Sequence, residues 1–320
     1  MKTLPKLVIF GDANKEHVAE AIEEFTDFVK GKAQIVATYR TEQSSSTGEH
    51  PTESKGIAHL KTQAPTQDAG KTKILQNSDF AVVFGGDGSI ISTVRNPSVA
   101  KVPVIGVNLG KLGFLAEFSV PELKEYFDDI TSGNAAIEKR MMLDCRIFGK
   151  AGEKFRSVAI NDVYITAGPP FRVIELKISV DGQPLAGCVS DGLIISTPTG
   201  STAYNLSSGG PILSPKMEAM VITAICPHSL SFRPIVINAN SRVEVLGIRV
   251  NKGTTVSIDG QVSLKLLIDD EIRVERQSSD FFIVNNPLRS QWDTLATKLR
   301  WAEKPKYKRD TILPGPQTPK

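Results

Sequence analysis

The sequence has few cysteines, no long apolar run and almost no excess of either charge. Its three cysteines, Cys145, Cys188 and Cys226, are far apart and form no C-x-x-C pair, which excludes a disulfide scaffold and a zinc ribbon. No apolar stretch approaches the roughly 20 residues that cross a bilayer, and residues 7–10 are too short for a signal-peptide core. The 38 basic and 35 acidic residues leave a net charge of +3, which favours neither nucleic acid nor a membrane as partner. These absences predict a soluble, cytoplasmic chain.

The chain divides into two regions of different texture. Its 320 residues, 40% of them hydrophobic, predict about two domains with real cores. Residues 1–135 alternate apolar runs with helical patterns, which predicts an α/β domain with a parallel, Rossmann-like sheet. Residues 136–285 show strand patterns without intervening helices, which predicts an all-β domain, a β-sandwich. Residues 217–226 fit a helix or a strand, and residues 286–320 predict one helix and a Pro- and Lys-rich tail.

Two polar segments carry no clear chemistry. Residues 41–73 are rich in Ser, Thr, Gln, Gly and charged residues, which predicts a mobile surface insertion without a dedicated function. A basic cluster in the tail favours a solvated end of the chain over a site for an acidic partner. Its members are Lys304, Lys306, Lys308 and Arg309.

A glycine-rich turn, Gly85-Gly86-Asp87-Gly88, follows the apolar run of residues 80–84. Backbone N–H groups in such a turn, together with the start of the next helix, form a binding place for phosphate. A carboxylate there repels phosphate, so Asp87 indicates a separate task such as taking a proton from an attacking hydroxyl. A tight turn in which Asp87 caps the helix explains the tetrapeptide equally well, and both interpretations stay open at this point.

Residues 191–215 form a second informative segment, DGLIISTPTGSTAYNLSSGGPILSP. An apolar strand runs into a turn whose hydroxyls can bond to ribose and base edges, and Tyr204 offers a ring for stacking. Capping of a helix explains the first hydroxyl but not five, so the segment predicts a ligand site. The five hydroxyls belong to Ser201, Thr202, Tyr204, Ser207 and Ser208.

Six motifs in this order resemble those of the NAD kinase family, and they cover the chain from about residue 80 to 285. The glycine turn alone is shared with diacylglycerol kinases, sphingosine kinases and phosphofructokinases, whereas the 25-residue segment is specific. The motifs are residues 85–88, 108–115, 161–162, 191–215, 226–230 and 257–261.

The resemblance implies phosphorylation of the 2′-hydroxyl of the adenosine ribose of NAD, which gives NADP. The phosphoryl donor in the family is usually ATP with Mg²⁺ and sometimes polyphosphate. The site is expected between an α/β domain and an all-β domain, in a homodimer or homotetramer. The sequence reserves no carboxylate pair for a metal, so Mg²⁺ is expected to arrive on ATP rather than in a dedicated protein site.

The resemblance also assigns residues. Asp87 matches the proton acceptor, and Gly85, Gly86 and Gly88 match the phosphate-binding turn. Phe114 matches an aromatic residue near the adenine, and Arg172 matches a residue that reaches the dinucleotide from a neighbouring subunit. The positions that line the NAD site are Asp87, Gly88, Phe114, Asn161, Asp162, Arg172, Asp191, Thr202, Ala203, Tyr204, Asn205, Leu206, Ser207 and Gln261.

Three features depart from the family pattern. Asp162 stands where glutamate is common and reaches one methylene less far. Val189 replaces a basic residue that many bacterial members have. The insertion at residues 41–73 is longer than the loop of compact members.

Two other functions compete with this reading. A lipid kinase of the diacylglycerol type shares the glycine turn but needs an acyl pocket and membrane contact, for which the sequence offers no amphipathic segment. A non-catalytic NAD-sensing module needs the hydroxyl-rich segment but gains nothing from Asp87 within a phosphate site. Phosphorylation assays with NAD and with diacylglycerol separate these functions.

Overall fold

The computed structural model describes residues 4–41, 69–110 and 112–300. Within these ranges the chain forms eighteen strands, seven α-helices and one 3₁₀ helix, Thr199–Thr202. The strands are β1 (Lys6–Phe10), β2 (Gln34–Tyr39), β3 (Phe80–Phe84), β4 (Val104–Val107), β5 (Ile137–Arg140), β6 (Leu143–Gly149), β7 (Gly152–Ala159), β8 (Asp162–Thr166), β9 (Ile174–Val180), β10 (Gln183–Ser190), β11 (Gly192–Ser196), β12 (Ala219–Ile225), β13 (Ile235–Asn238), β14 (Val243–Arg249), β15 (Thr255–Ile258), β16 (Val262–Lys265), β17 (Glu271–Arg276) and β18 (Phe281–Val284). The helices are α1 (Glu16–Phe28), α2 (Ala69–Gln76), α3 (Asp87–Val94), α4 (Pro97–Ala100), α5 (Val120–Thr131), α6 (Tyr204–Ser207) and α7 (Gln291–Leu299).

The first sheet has the strand order β2-β1-β3-β4-β18-β5. Every residue of β3 is buried, as expected for a strand with helices on both faces. Phe25 of α1 packs against Phe127 of α5 with ring centroids 5.9 Å apart, which covers one face with aromatic side chains. Because β2 and β3 flank β1 on opposite sides, a crevice opens at the carboxyl ends of β1 and β3.

Two strands of this sheet come from beyond the predicted domain boundary at residue 135. β18 pairs in parallel with β4 and antiparallel with β5, so the sheet is mixed and not purely parallel as predicted. Phe281 and Ile283 of β18 are buried in the core of the first domain. Apolar runs in a sequence reveal strands but not their partners, and for this reason the boundary prediction missed the return of the chain.

The second domain is the predicted all-β sandwich. Its two antiparallel sheets have the orders β10-β9-β14-β17-β6-β7 and β13-β12-β11-β8-β15-β16. Both contribute to one core, with Cys145 and Ile147 from the first sheet and Val163 and Leu193 from the second. Residues 217–226, which fit either a helix or a strand, contain β12. The fold class predicted from the sequence is confirmed.

Capping residues begin two of the helices. Ser119 and Glu122 form the capping box at the start of α5, and Ser290 with Asp293 forms another at α7. None of the helices in the described residues is long and apolar enough to span a bilayer. The insertion was predicted to extend to residue 73, but α2 begins at Ala69, so its last five residues are helical. The rest of that prediction, residues 42–68, and the basic cluster of the tail lie outside the described residues.

Candidate functional site

The glycine turn lies at the crevice between β1 and β3. Gly85 has φ +147°, a backbone conformation that side chains rarely adopt, and a Cβ there would collide with Ser89. Gly86 has an ordinary φ of −86° and open space where a side chain would begin. The backbone therefore requires a glycine at position 85, whereas position 86 needs none unless a ligand comes close.

A pocket of about 240 Å³ opens beside this turn. The ends of β1, β3 and β4 and the start of α1 form its walls, as the switch point of a parallel sheet predicts. Sequence analysis missed the contributions of β1 and α1, although Gly11-Asp12 follows β1 in the same way that Gly85 follows β3. The lining residues are Asp12, Lys15, His17, Val18, Thr41, Phe84, Gly85, Gly86, Ser89, Asn108, Leu109 and Gly110.

Asp87 is the first residue of α3, and the position before it, Gly86, is the helix N-cap. The Asp87 carboxylate turns away from the helix and accepts three backbone N–H groups of the adjacent loop. Oδ2 accepts from Phe114 at 2.9 Å, and Oδ1 accepts from Leu115 and Ala116 at 3.0 Å each. A side chain at Gly113 would collide with this carboxylate. The capping interpretation is therefore wrong, because Asp87 fastens residues 114–116 to the glycine turn.

A second pocket, of about 120 Å³, shares no lining residue with the first. Phe114 and Thr202, both predicted site residues, line it together with Trp292 and Leu295 of α7. Lys298 Nζ lies 4.6 Å from the centroid of the Phe114 ring, which places a cation over its face. The contribution of α7 was not predicted, since nothing in its sequence signals contact with residues about 180 positions earlier.

Asp162 is a buried carboxyl group with an exposed fraction of 2%. Burial, and to a smaller extent the charge of Asp259, raise its pKa to about 7 against the opposing effect of the Tyr204 N–H. The neighbouring Asn161 contributes its backbone, because its carbonyl accepts the N–H of Thr197 at 2.8 Å. The pair predicted to line the site thus joins β8 to the segment that follows β11.

Two of the hydroxyls in residues 197–213, those of Ser201 and Thr202, donate to carbonyls within the segment. Ser201 is fully buried, donates to the Pro198 carbonyl at 2.6 Å and accepts the N–H of Leu213 at 3.0 Å. Thr202 donates to the Thr199 carbonyl at 3.3 Å. These two hydroxyls shape the turn, and Thr202 also lines the second pocket.

Asn205 is also fully buried, and its amide bonds are internal. It donates to the carbonyls of Ser201 and Pro211 and accepts the hydroxyl of Thr223 at 2.7 Å. A side chain at Gly210 would collide with it. Asn205 was predicted to line the NAD site; in the structure it holds the segment together because its polar atoms have protein partners.

Tyr204 is the aromatic residue of the segment that reaches solvent, with an exposed fraction of 37%. Its ring meets Tyr164 edge-on, with centroids 5.0 Å apart. Desolvation raises the pKa of the Tyr204 hydroxyl, and the charges of Asp162 and Asp191 add to that shift. Ala203 and Leu206 are half-buried beside it, and Ser207 is exposed.

Asp191 and Arg172 lie away from Asp87. Register pairs Ser196 with Asp162 at one end of β11 and Gly192 with Thr166 at the other, about 13 Å along the strand. Asp191 precedes that far end and is exposed. Arg172 is exposed in the loop between β8 and β9. Asp191 therefore lies at the opposite end of β11 from Asp162, from where its charge still affects the Tyr204 hydroxyl.

Gln261 connects the two domains. Its Nε2 donates to the carbonyl of Gly88 at 2.9 Å, and its Oε1 accepts from Arg95 at 3.0 Å. Arg95 was missed by sequence analysis, since a lone arginine after a short helix carries no distinguishing pattern. Within residues 4–41, 69–110 and 112–300, no three His, Cys, Asp or Glu side chains are grouped to hold a metal ion.

Comparison with known proteins places both halves of the chain in one family. Residues 7–135 match the ATP-NAD kinase N-terminal domain, and residues 160–286 match the ATP-NAD kinase C-terminal domain. The chain is 37% identical to the NAD kinase of Magnetococcus marinus over 249 residues, which is 78% of this chain and 80% of that protein. It is 34% identical to the NAD kinase of Thiobacillus denitrificans over 296 residues, which is 92% of this chain and 97% of that protein.

Solved structures share the fold at lower identity. The crystal structure of yeast NADH kinase complexed with NADH has a TM-score of 0.77 and 23% identity, and the match covers 97% of this chain and 91% of that one. An Archaeoglobus fulgidus NAD kinase in complex with ATP has a TM-score of 0.68 and 21% identity, covering 92% and 98%. At these identities the likeness concerns the arrangement of the two domains.

Proposed function

Because this chain belongs to the NAD kinase family and phosphorylates NAD to NADP, we propose that Asp87 is the general base, the adenosine 2′-hydroxyl the acceptor and ATP the donor. The observation that carries this assignment is the place of Asp87. Gly85 and Gly86, directly before it, line the glycine pocket, and Phe114, bonded to its carboxylate, lines the second pocket. Asp87 is thus adjacent in the chain to one pocket's lining and hydrogen-bonded to a residue of the other, which supports its proposed contact with the acceptor hydroxyl.

The glycine pocket suits the phosphates of the donor. The first turn of α3 presents N–H groups without helical partners, and Lys15 adds a positive charge at the pocket wall. Glycines 85 and 86 let phosphate oxygens approach the backbone. The Archaeoglobus fulgidus NAD kinase, which shares this fold, was solved in complex with ATP, and this supports the assignment.

A divalent cation, proposed to be Mg²⁺, fits the same pocket as part of the nucleotide. The side chains of Asp12, Ser89 and Asn108 line the pocket and offer oxygen atoms, the donor type that Mg²⁺ prefers. This set supplements a triphosphate and does not form a complete protein cage. When bound, the ion neutralises charge on the phosphates during transfer.

The residues of the chain supply positioning and a proton acceptor. Phosphoryl transfer has a loose transition state, so most of its acceleration comes from orientation and electrostatics. Asp87 Oδ2 accepts one N–H and Oδ1 accepts two, so Oδ2 keeps the greater capacity to take the proton of the hydroxyl. Phe114, Asn161, Asp162 and Tyr204 are proposed to orient NAD around that hydroxyl.

We further propose a homo-oligomer in the cytoplasm. An apolar edge of the second domain supports the oligomer, because Leu230, Ile235 and Val236 are exposed beside the edge strand β13. The exposed position of Arg172 is compatible with its predicted contact with a dinucleotide bound to a neighbouring subunit. The three cysteines are free thiols, which suits a reducing compartment.

The experiment measures product formation by the purified chain. NAD is incubated with ATP and MgCl₂, with polyphosphate and MgCl₂, or with ATP and EDTA. The NADP formed is detected with a dehydrogenase that uses NADP and not NAD. We expect NADP with ATP and Mg²⁺ and none with EDTA. Diacylglycerol replaces NAD in a parallel reaction, and its phosphorylation without NADP formation would establish the lipid-kinase alternative instead.

A further inference from the structure

The turn at residues 259–261, between β15 and β16, contacts both domains. Asp259 has φ +51°, and its side chain has no exposed surface. Its carboxylate accepts the backbone N–H groups of Ile160, Asn161 and Asp162, with the Asn161 bond at 2.7 Å. Through these bonds one buried charge holds the backbone on which two proposed NAD-orienting residues stand.

The same turn holds α3 at two points. Arg95, at the C-terminal end of α3, donates from one Nη to Asp259 Oδ2 and to Gln261 Oε1, both at 3.0 Å. Gln261 Nε2 donates to the carbonyl of Gly88, in the first turn of α3. Asp87 is adjacent to Gly88, so the turn determines where the start of α3 lies relative to residues 160–162.

We propose that Asp259, Arg95 and Gln261 are positioning residues, which hold the proposed base on α3 in register with the Asn161-Asp162 backbone of the other domain. The inference rests on the proposed function of Asp87. None of the three residues needs to touch a reacting atom, because they act through the placement of α3. Misplacement of reacting groups by about 1 Å can reduce a rate by about 10².

The turn also affects charge at the site. Asp162 is buried beside Asp259, whose negative charge contributes to the raised pKa of Asp162. Tyr164 and Tyr204 are the other titratable groups that interact with Asp162, and Arg95 is the cation that pairs with Asp259. Replacement of Asp259 by a neutral side chain is therefore expected to lower the pKa of Asp162, which an effect on packing alone would not do.

Asp259→Asn distinguishes the bonds of Asp259 to the backbone of residues 160–162 from its ion pair with Arg95. The amide oxygen can keep the three backbone N–H groups that Oδ1 accepts, whereas the amide nitrogen faces the Arg95 guanidinium, donor against donor. Asp270→Asn is the matched control. Asp270 is similarly buried, accepts the N–H of Leu267 and pairs with Lys154, and it directly precedes β17, in the sheet that lacks β8 and β15.

In Asp259→Asn we expect kcat to fall about 10-fold or more, while the Kd for NAD stays within a few-fold. The pKa of Asp162, followed by NMR, should be lower than in wild type, and Arg95→Met combined with Asp259→Asn should lower kcat no more than the worse single variant. Asp270→Asn should change neither kcat nor the pKa of Asp162. A kcat within twofold of wild type, or equal losses in Asp259→Asn and Asp270→Asn, would overturn the proposal.

Hydrogen exchange separates failure of this inference from failure of the proposed function. Backbone amides in residues 87–95 should exchange faster in Asp259→Asn than in Asp270→Asn, whether or not the chain forms NADP. If wild type makes NADP but α3 exchanges equally in both variants, the positioning role is wrong and the proposed function stands. If wild type makes no NADP while α3 loosens only in Asp259→Asn, the contact is real and the proposed function fails.

Discussion

The glycine turn and the hydroxyl-rich segment at residues 197–213 both follow a buried strand, yet they are held in opposite ways. The turn leaves its backbone open to a pocket, and the carboxylate of Asp87 reaches out to hold the neighbouring loop. The later segment closes on itself through Ser201 and Asn205, both fully buried.

This difference predicts which substitutions affect activity and which affect folding. Changes in the glycine turn alter a surface that ligands approach, so they should affect turnover and affinity more than folding. Changes at Ser201 or Asn205 remove partners from buried polar groups and should unfold the segment first. Five predictions test this contrast, from the largest expected effect to the smallest.

Asp87→Asn should lower kcat by at least about 10² and leave NAD affinity within a few-fold, because an amide cannot accept the hydroxyl proton. NADP formation and NAD binding are measured on one folded preparation. Asp79→Asn is the control, since Asp79 accepts the N–H of Lys6 at the opposite end of β3. More than a tenth of wild-type turnover would end the assignment as a base and leave Asp87 as the residue that holds the loop.

Tyr204→Ala should weaken NAD binding by roughly 1–3 kcal/mol, by analogy with base–aromatic stacking, with kcat within a few-fold. The ring serves the bound ground state and the transition state alike, so KM for NAD should carry the effect. Tyr204→Phe keeps the ring and its contact with Tyr164, and should resemble wild type. A collapse of kcat at unchanged KM in the alanine variant would contradict the stacking role.

Gly86→Ala should raise KM for ATP about 10-fold while the free energy of unfolding changes by less than about 0.5 kcal/mol. A methyl group fits the free protein, because nothing lies within 4 Å of its position, but it enters the space proposed for phosphate. Gly187→Ala, equally unobstructed and on β10, is the control. An unchanged KM for ATP in Gly86→Ala would contradict the proposal that the phosphates bind at this turn.

Asp162→Asn tests the burial of a carboxyl in the second domain. The pKa of Asp162 is about 7 in the folded chain and near 3.8 when unfolded, so the folded protein keeps a proton that the unfolded chain releases. Wild-type stability should fall as pH rises from about 4 to 7 and then level off. Urea unfolding measures this change. Between pH 5 and pH 8 the free energy of unfolding of wild type should fall by on the order of 2 kcal/mol more than that of Asp162→Asn. A pH-independent difference would refute the buried-proton assignment.

Removal of residues 42–68 should have the smallest effect, since these residues belong to neither loop. A Gly/Ser linker should preserve folding and NADP formation within a few-fold. Thr41 and α2 are retained, because Thr41 lines the glycine pocket and Leu75 of α2 is buried. A folded variant that cannot phosphorylate NAD would give the segment a role in catalysis.

Local features of both loops were predictable from the sequence. The apolar run at residues 80–84 and the capping box at Ser119 depend on contacts between near neighbours, and both are present as predicted. The NAD kinase resemblance is confirmed by relatives that match most of the chain.

Contacts between distant parts of the chain were not predictable. A hydroxyl bonds a ligand or its own backbone with the same residue type, so the internal bonds of Ser201 were read as ligand contacts. The role of Asp259 depends on residues about 100 and 160 positions away, for which periodicity gives no signal.

The return of β18 into the first sheet bears on how the protein emerges from the ribosome. Until residue 284 has been synthesised, the edge of β4 lacks its neighbour, and α7 has not yet covered Phe114. A nascent chain that ends after residue 135 therefore holds the glycine turn on an incomplete sheet with an open apolar edge. The first sheet can therefore be completed only after the whole second domain and β18 have been synthesised.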